Sequence, residues 1–366
     1  MTTISEIFRT FAPEYIASFG SSMPQEHKKV MDAIVECRTE AAGISVYECE
    51  ECGELHRVFR SCGNRHCPTC QNHKTQEWLE RQMERQLPGH HFMITFTVPE
   101  QLRSIIRSNQ RLSYSALFAT SSEAIKKLAT DKKYMGGDLP GFFGVLHTWG
   151  RTLEYHPHIH YVVAGGAFST VDNTWHPSRI DFYLPVMALS RIFRAKFKDE
   201  MIKAGLFELI PAEVWEQEWN VNCQAMGESQ ASLKYLAPYV FKVAISNHRI
   251  LKVENHTVHF RYRKTHSNRW RTMALDAMEF MRRFLQHVLP TGFMKVRYYG
   301  FLNPNCKVEL ETISALIELS YGFEIERPRI EAAQEPWKPI ACSKCGGALK
   351  LRVIILPCGT VIKPGG

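Results

Sequence analysis

The stretch Glu154-Tyr155-His156-Pro157-His158-Ile159-His160-Tyr161-Val162-Val163-Ala164-Gly165-Gly166 joins a histidine cluster to an apolar segment with the pattern of a β-strand. Side chains alternate between the two faces of a strand, so His158 and His160 point the same way and Ile159 points to the opposite face. Two imidazoles on one face can supply two nitrogen ligands to a metal ion and leave positions open for water and substrate oxygen. The alternative is a polar strand edge with histidines there by chance.

A second predicted strand, residues 142–150, precedes the histidine strand and is joined to it by a short loop. If the two strands form a hairpin with His147 directly across from His160, both side chains lie on the same face. His147 is then a candidate third metal ligand. A one-residue change of register would turn it away, so His156 and Glu154 remain alternatives.

Composition sets the frame for these motifs. A chain of 366 residues with 45% hydrophobic and 22% charged residues is ordinary for a globular protein of two or three domains. There is no apolar run of membrane-spanning length, and the first twelve residues contain charges and no signal-peptide core. We therefore expect a cytoplasmic protein with no membrane partner.

Cysteine spacing indicates metal binding. Six of the eleven cysteines lie between Cys37 and Cys70, in pairs that are typical of zinc sites. Two Cys-x-x-Cys pairs separated by a short loop offer four thiolates, the tetrahedral ligand set of structural zinc. The sequence predicts one zinc site formed by Cys49, Cys52, Cys67 and Cys70. A possible second site would use Cys37, His56, Cys62 and His66.

A further cysteine pair lies near the C-terminus. Cys342 and Cys345 resemble the first half of a zinc ribbon, but only Cys358 follows them. A complete four-cysteine site in this region would need another residue, such as Cys306.

Positive charge is concentrated in one segment. Residues 249–297 contain 11 Lys or Arg and three Asp or Glu, an excess of eight that equals the net charge of the whole chain, +8. Aromatic residues such as Trp270 are interleaved with these bases, a combination that binds phosphates and stacks on unpaired bases. The alternative is a solvated basic face with aromatic residues in the core.

Two tyrosines lie just before this basic segment, in the sequence Tyr235-Leu236-Ala237-Pro238-Tyr239. On a helix, Tyr235 and Tyr239 would share one face. A tyrosine hydroxyl beside a metal-polarised phosphate can attack it and form a covalent phosphotyrosine. Because free tyrosine has a pKa of about 10, the metal and nearby cations must activate it. An aromatic pair packed on a core is the alternative.

Several blocks together resemble the insertion-sequence-91 family of rolling-circle transposases. These blocks occur in the same order and span most of the chain: residues 37–71 with Arg65-His66-Cys67-Pro68-Thr69-Cys70-Gln71, His147-Thr148-Trp149-Gly150, His156-Pro157-His158-Ile159-His160, Tyr235-Leu236-Ala237-Pro238-Tyr239, residues 243–249, and Arg297-Tyr298-Tyr299-Gly300-Phe301.

The resemblance implies an HUH nuclease, in which His158 and His160 match the metal-binding histidines and Tyr235 and Tyr239 match the paired nucleophiles. It implies an α+β fold, with an antiparallel, ferredoxin- or RRM-like nuclease sheet preceded by a helical, zinc-binding region. The implied reaction cleaves and rejoins single-stranded DNA at element ends through a 5′-phosphotyrosine, with Mg²⁺ or Mn²⁺ at the histidines and structural Zn²⁺ at the cysteines.

From these features we expect three regions: residues 1–87, a helical arm and zinc-binding domain; residues 88–303, the nuclease domain; and residues 304–366, a C-terminal region. No Walker-type nucleotide loop is visible, so strand separation must come from host replication or helicase machinery. The protein would act on element ends and target DNA in the bacterial nucleoid. The residues expected to contact DNA are Arg65, Lys242, Arg249, Arg261, Arg263 and Lys264.

Two other functions remain open. A rolling-circle replication initiator would use the same chemistry at a replication origin instead of element ends. A non-catalytic, zinc-dependent DNA-binding regulator would carry an inactive nuclease fold and would not need the tyrosines.

Overall fold

A computed structural model describes residues 2–85, 87–228, 244–264, 267, 269–322 and 341–363. The α-helices of this part of the chain are α1 (Ile4–Phe19), α2 (Gln25–Glu36), α3 (Gln71–Glu84), α4 (Arg103–Ser108), α5 (Gln110–Thr130), α6 (Val186–Lys203), α7 (Glu213–Glu216), α8 (Ala277–Leu285) and α9 (Leu310–Tyr321). None of these helices is both long and apolar enough to cross a lipid bilayer.

The strands of the described residues form antiparallel sheets. They are β1 (Ile44–Cys49), β2 (Leu55–Phe59), β3 (His90–Thr97), β4 (Phe142–Trp149), β5 (Tyr155–Ala164), β6 (Gly166–Ser169), β7 (Thr174–Pro177), β8 (Val221–Glu228), β9 (Ile250–Glu254), β10 (Thr257–Arg263), β11 (Trp270–Asp276), β12 (Val296–Tyr299), β13 (Leu349–Ile355) and β14 (Val361–Ile362).

The chain divides into two compact units. The cysteine-rich unit contains the described residues of Met1–Lys74, Ile245–Val288 and Arg329–Gly366. The histidine-sheet unit contains those of Thr75–Ala244 and Leu289–Pro328. These divisions differ from the expected regions 1–87, 88–303 and 304–366, because segments far apart in the sequence pair in one sheet of the cysteine-rich unit.

A five-stranded sheet organises the histidine-sheet unit, in the order β12-β4-β5-β3-β8. The histidine strand β5 is its central strand, and its first half alternates between fully and partly buried residues. Ile159 and Tyr161 face a large core formed with α5 and α6, where Phe118 and Phe193 are fully buried. This core fixes which face of β5 carries the histidines, because a one-residue slip would bury them in place of Ile159 and Tyr161.

On the opposite face of this sheet, apolar residues fill only one end. Phe143, Val145 and Val162 pack there against Trp78 of α3. His147, His158 and His160 continue the same face along their strands. The sheet therefore presents an apolar patch and, beside it, a cluster of imidazoles.

The cysteine-rich unit combines helices with two small sheets. Helices α1 and α8 pack through Phe8 and Phe284, whose ring centroids are 5.1 Å apart. The sheet β11-β10-β9 leads directly into α8, and Asp276 caps that helix by accepting a hydrogen bond from the Met278 amide at 2.8 Å. The other sheet has the order β14-β13-β1-β2, so a C-terminal strand lies beside the first strand of the chain. The predicted α+β class with antiparallel sheets and an N-terminal cysteine-rich region is confirmed.

Candidate active site and metal centres

Three histidines of neighbouring strands form a possible metal site. One nitrogen atom from each of His147, His158 and His160 lies within 4.8 Å of the other two. The ring centroids of His147 and His160 are 4.7 Å apart, and those of His158 and His160 are 4.8 Å apart. The predicted third ligand is therefore brought to the predicted pair.

Hydrogen bonds orient two of these rings. His158 Nδ1 donates to the backbone carbonyl of His156 at 2.6 Å. His160 Nδ1 lies 2.8 Å from the Thr95 hydroxyl. In both residues Nδ1 is engaged, which leaves Nε2 as the nitrogen that can bind a metal ion.

Burial keeps His158 and His160 neutral. It lowers the pKa of His160 to about 4, with His156 adding to the effect. Burial, followed by the nearby His160, holds the pKa of His158 well below the usual value for histidine. Only a neutral imidazole can donate a lone pair to a metal ion, so the site is prepared for a cation at neutral pH without a prior loss of protons.

The two alternative third ligands are engaged elsewhere. His156 Nδ1 accepts a hydrogen bond from Arg103 at 2.7 Å. Glu154 accepts hydrogen bonds from the Thr152 amide at 3.0 Å and from the Thr152 hydroxyl, within the tight turn between β4 and β5. Neither belongs to the three-histidine group.

The register of the hairpin differs from the expected one. His147 pairs with His158, and Val145 pairs with His160, with an irregularity between His147 and Trp149. The shift is two residues relative to a pairing of His147 with His160. Because side chains alternate with a period of two, this shift leaves His147 on the same face as the histidine pair.

Three residues near this site do not stand out in the sequence. Thr95 interrupts the apolar run of residues 92–96 in β3, and its hydroxyl lies beside His160 Nδ1 and orients that ring. Arg103 contacts His156, and Lys295 lies 4.6 Å from the ring centroid of Trp149, next to His147. The two cations place positive charge beside the histidines, which favours a phosphate group there. The break in the apolar pattern at Thr95 could be recognised in the sequence. Arg103 and Lys295 could not, because only the tertiary structure brings them near the histidines.

The predicted zinc set of Cys49, Cys52, Cys67 and Cys70 is wrong, because the structure separates its two pairs. Cys67 and Cys70 lie with Cys37 and Cys62, and Cys49 and Cys52 lie with Cys342 and Cys345. The suggested second set of Cys37, His56, Cys62 and His66 is split as well. His56 contacts Cys342, and His66 is buried outside both four-cysteine groups.

The first group has the geometry of a zinc site. Its sulfur–sulfur distances are 3.6 Å for Cys37–Cys70 and Cys62–Cys70 and 3.7 Å for Cys67–Cys37. Four sulfurs about 2.3 Å from one zinc ion would be about 3.8 Å apart. Burial raises the pKa of Cys37, whereas hydrogen bonding from Cys62 lowers that of Cys67 to about 5. Four thiolates held this close need a cation, and zinc fits their number and spacing.

The basic residues have different exposures. Arg261 and Arg263 flank the ring of Trp270 at 4.9 and 5.0 Å, and Trp270 is 44% exposed. Lys264 and Arg65 are exposed. Arg249 is only 8% exposed and donates to the backbone carbonyl of Arg261 at 2.8 Å. The prediction that Arg249 contacts DNA does not fit this burial, because the guanidinium supports the strand instead.

Tyr235, Tyr239 and Lys242 lie outside the described residues. Their predicted roles as nucleophiles and as a DNA contact remain predictions.

Comparison with known proteins identifies the chain. A family model described as "Transposase zinc-binding domain" matches residues 7–98, and one described as "Putative transposase" matches residues 141–309. The chain is 38% identical over 320 residues to "Putative transposase y4qJ" of Sinorhizobium fredii, covering 82% of this chain and 80% of that protein. It is 26% identical over 292 residues to "Transposase for insertion sequence element IS801" of Pseudomonas savastanoi pv. phaseolicola, covering 74% of this chain and 68% of that protein. No solved structure matches the chain.

The cysteine-rich unit, the histidine-bearing sheet and these relatives define a transposase, an enzyme that acts on DNA, with structural zinc at its cysteines. The chain belongs to the insertion-sequence-91 family of transposases with an N-terminal zinc-binding domain, and the resemblance drawn from its sequence motifs is confirmed.

Proposed function

We propose that the protein cleaves and rejoins single-stranded DNA at the ends of its insertion sequence, as an HUH-type nuclease and strand transferase in rolling-circle transposition. The observation that carries this proposal is the group of imidazoles from His147, His158 and His160 on one sheet face, with Arg103 and Lys295 beside it. Such a group suits polarisation of a phosphate better than a purely structural role in a core, because burying three imidazoles together costs free energy unless their polar nitrogens have partners.

The proposed reaction uses Tyr235 or Tyr239 as the nucleophile. The tyrosine oxygen loses its proton and attacks the phosphorus atom, the bond from phosphorus to the 3′ oxygen breaks, and that oxygen takes up a proton. The upstream strand then has a free 3′-OH, and the downstream strand is held as a 5′-phosphotyrosine. Attack of a 3′-OH on the phosphotyrosine reverses the step and rejoins a strand. Two tyrosines would allow two such steps without release of the DNA.

A divalent cation at the three histidines would stabilise the charge that develops on the phosphate. The donor set fits such an ion, since three imidazole nitrogens leave other positions for water and phosphate oxygen. Mg²⁺ prefers oxygen ligands and keeps several waters, so we expect a stronger response to Mn²⁺. Strand separation would come from host replication or helicase machinery, and the site of action would be the DNA of the bacterial nucleoid.

The third-ligand assignment predicts a selective loss of manganese response. His147→Ala should cost at least about 10- to 100-fold in metal affinity or cleavage rate, the range known even for outer partners of metal ligands. His156→Ala is the matched control, because His156 lies beside the group and contacts Arg103. Titration of Mn²⁺ against cleavage rate measures both variants. A wild-type manganese response in the His147 variant, with a loss in the His156 variant, would transfer the role to His156.

The basic residues around Trp270 predict a defined salt dependence of DNA binding. Replacing Arg261, Arg263 and Lys264 together by glutamine should lower the slope of log affinity against log salt by about 2, since each contact to a single-strand phosphate contributes about 0.7. The control replaces Lys132, Arg191 and Lys203, three exposed cations outside the basic segment, by glutamine. Fluorescence anisotropy with a single-stranded oligonucleotide measures the slope. Equal slopes for the two triple variants would place the DNA path elsewhere.

A further inference from the structure

The second cysteine group joins two ends of the chain. Cys49 ends β1 and Cys52 follows in the next turn, whereas Cys342 and Cys345 precede β13. Strand β13 pairs with β1 along its whole length, from Ile44 opposite Ile355 to Cys49 opposite Leu349. The group therefore lies at the end of the sheet where both strands meet.

The two cysteine pairs have matching local structures. In Cys49-Glu50-Glu51-Cys52-Gly53, the Gly53 amide donates to the Cys49 carbonyl at 3.0 Å, and Gly53 has a φ of +72°. In Cys342-Ser343-Lys344-Cys345-Gly346, the Gly346 amide donates to the Cys342 carbonyl at 2.8 Å, and Gly346 has a φ of +80°. Glycine adopts this left-handed conformation at little cost. Each pair thus forms the same tight turn, with its two sulfurs available to one ligand.

Hydrogen bonds to sulfur support thiolates at this place. The Lys344 amide donates to Cys342 Sγ and the Gly347 amide to Cys345 Sγ, both at 3.4 Å. His56 Nε2 lies 3.2 Å from Cys342 Sγ. Donors of this kind stabilise a metal-bound thiolate, as outer partners do in many metal sites.

The four sulfur positions fit one metal ion, and the backbone at Gly347 lies close to them. Cys49 Sγ and Cys345 Sγ are 3.4 Å apart, and Cys52 Sγ and Cys342 Sγ are 3.7 Å apart. These distances exceed the S–S bond of about 2.05 Å and are near the roughly 3.8 Å between ligands of one zinc ion. A Cβ at Gly347 would come within 3.1 Å of Cys49 Sγ, so the backbone approaches the sulfurs closely.

We propose that Cys49, Cys52, Cys342 and Cys345 bind a second zinc ion, which fastens the C-terminal segment 341–363 to β1. The zinc-binding unit of this transposase would then need cysteines from both ends of the chain. This differs from a zinc-binding domain confined to residues 7–98, because half of the second ligand set lies beyond it. The proposal does not depend on the nuclease reaction.

The test measures the number of zinc ions bound per chain in the purified protein by inductively coupled plasma mass spectrometry. The variant Cys342→Ser/Cys345→Ser should hold one zinc ion fewer per chain than the wild type. Cys358→Ser is the matched control, because Cys358 is exposed, contacts Thr360 and lies outside both groups. Cys67→Ser should lose the other zinc, and combining the changes should lose both. An unchanged zinc content in the double variant, or an equal loss in Cys358→Ser, would overturn the proposal.

A second measurement covers the case in which the double variant does not fold. Cys345→His keeps four possible ligands but replaces a sulfur by a nitrogen. With Co²⁺ in place of zinc, its ligand-field absorption should shift to shorter wavelength relative to the wild type, while Cys358→His should leave the spectrum unchanged. A Cys345→His spectrum identical to that of the wild type would mean that Cys345 is not a ligand. Two disulfides in the wild-type protein, found by thiol counting under non-reducing conditions, would contradict the proposal as well.

Discussion

His158→Ala should abolish metal-dependent cleavage of single-stranded DNA and leave DNA binding nearly unchanged. His158 is one of the three histidines of the group, and its Nδ1 donates to the backbone carbonyl of His156, so Nε2 is the nitrogen that can bind a cation. We expect a loss larger than the 10- to 100-fold that outer partners of metal ligands typically cost. Binding should persist because the basic residues around Trp270, which we expect to contact DNA, belong to a different unit of the chain.

The measurement compares cleavage rate and anisotropy on the same oligonucleotide. His176→Ala is the control, since His176 lies in the same unit on β7 but contacts the Met135 carbonyl at 2.9 Å, away from the group. Retained cleavage in the His158 variant would show that the histidines do not hold the catalytic ion. A parallel loss of binding would point to a folding defect, which circular dichroism detects.

The double change Tyr235→Phe/Tyr239→Phe should eliminate the covalent protein–DNA adduct and reduce cleavage by about 10³-fold or more, since loss of a covalent nucleophile is among the most costly changes in an enzyme. Phenylalanine keeps the ring and removes only the attacking oxygen. Tyr134→Phe is the control, because Tyr134 is partly buried at the edge of the core and lies outside the paired-tyrosine motif.

The two single variants separate the roles of the tyrosines. If each tyrosine carries one cleavage, each single variant should retain adduct formation but fail to complete both strand transfers. A double variant that still supports transposition would favour the non-catalytic regulator, which does not need either hydroxyl.

The histidine strand shows how far the sequence predicts this fold. The alternation of His158, Ile159 and His160 predicts both the strand and its two faces, and the structure places them as expected. The register of β4 against β5 is not predictable from the sequence, because the turn from Gly150 to Glu154 and the irregularity before Trp149 set it. His147 lies on the predicted face of the sheet because the observed register differs from the predicted one by an even number of residues.

The cysteines show where sequence reasoning stops. The short loop between Cys52 and Cys67 predicts one site for the two neighbouring pairs, whereas the structure brings Cys49 and Cys52 to a pair about 290 residues further along the chain. That contact depends on β13 pairing with β1, which no local pattern indicates. One signal was present: both pairs of the second group are followed by glycine, as Gly53 and Gly346, whereas Cys70 is followed by Gln71.

The basic segment illustrates a third limit. Its charge count predicts a basic surface, and Arg261 and Arg263 around the exposed Trp270 agree with it. The count cannot distinguish these residues from Arg249, which is buried and whose side chain donates a hydrogen bond to the backbone carbonyl of Arg261 in β10. Exposure is a property of the tertiary structure, so a list of cations from the sequence includes supporting residues as well as ligand contacts.

The proposed reaction requires that the protein become covalently attached to DNA through a tyrosine. The most direct test incubates the wild-type protein and Mn²⁺ with single-stranded oligonucleotides that cover the ends of its element, labelled at either the 5′ or the 3′ end, and separates the products on a denaturing gel. A 3′ label should move with the protein, and a 5′ label should appear on a shorter free strand that a polymerase can extend from its 3′-OH. Cleavage without any labelled protein band, as expected for attack by an activated water molecule, would contradict the account.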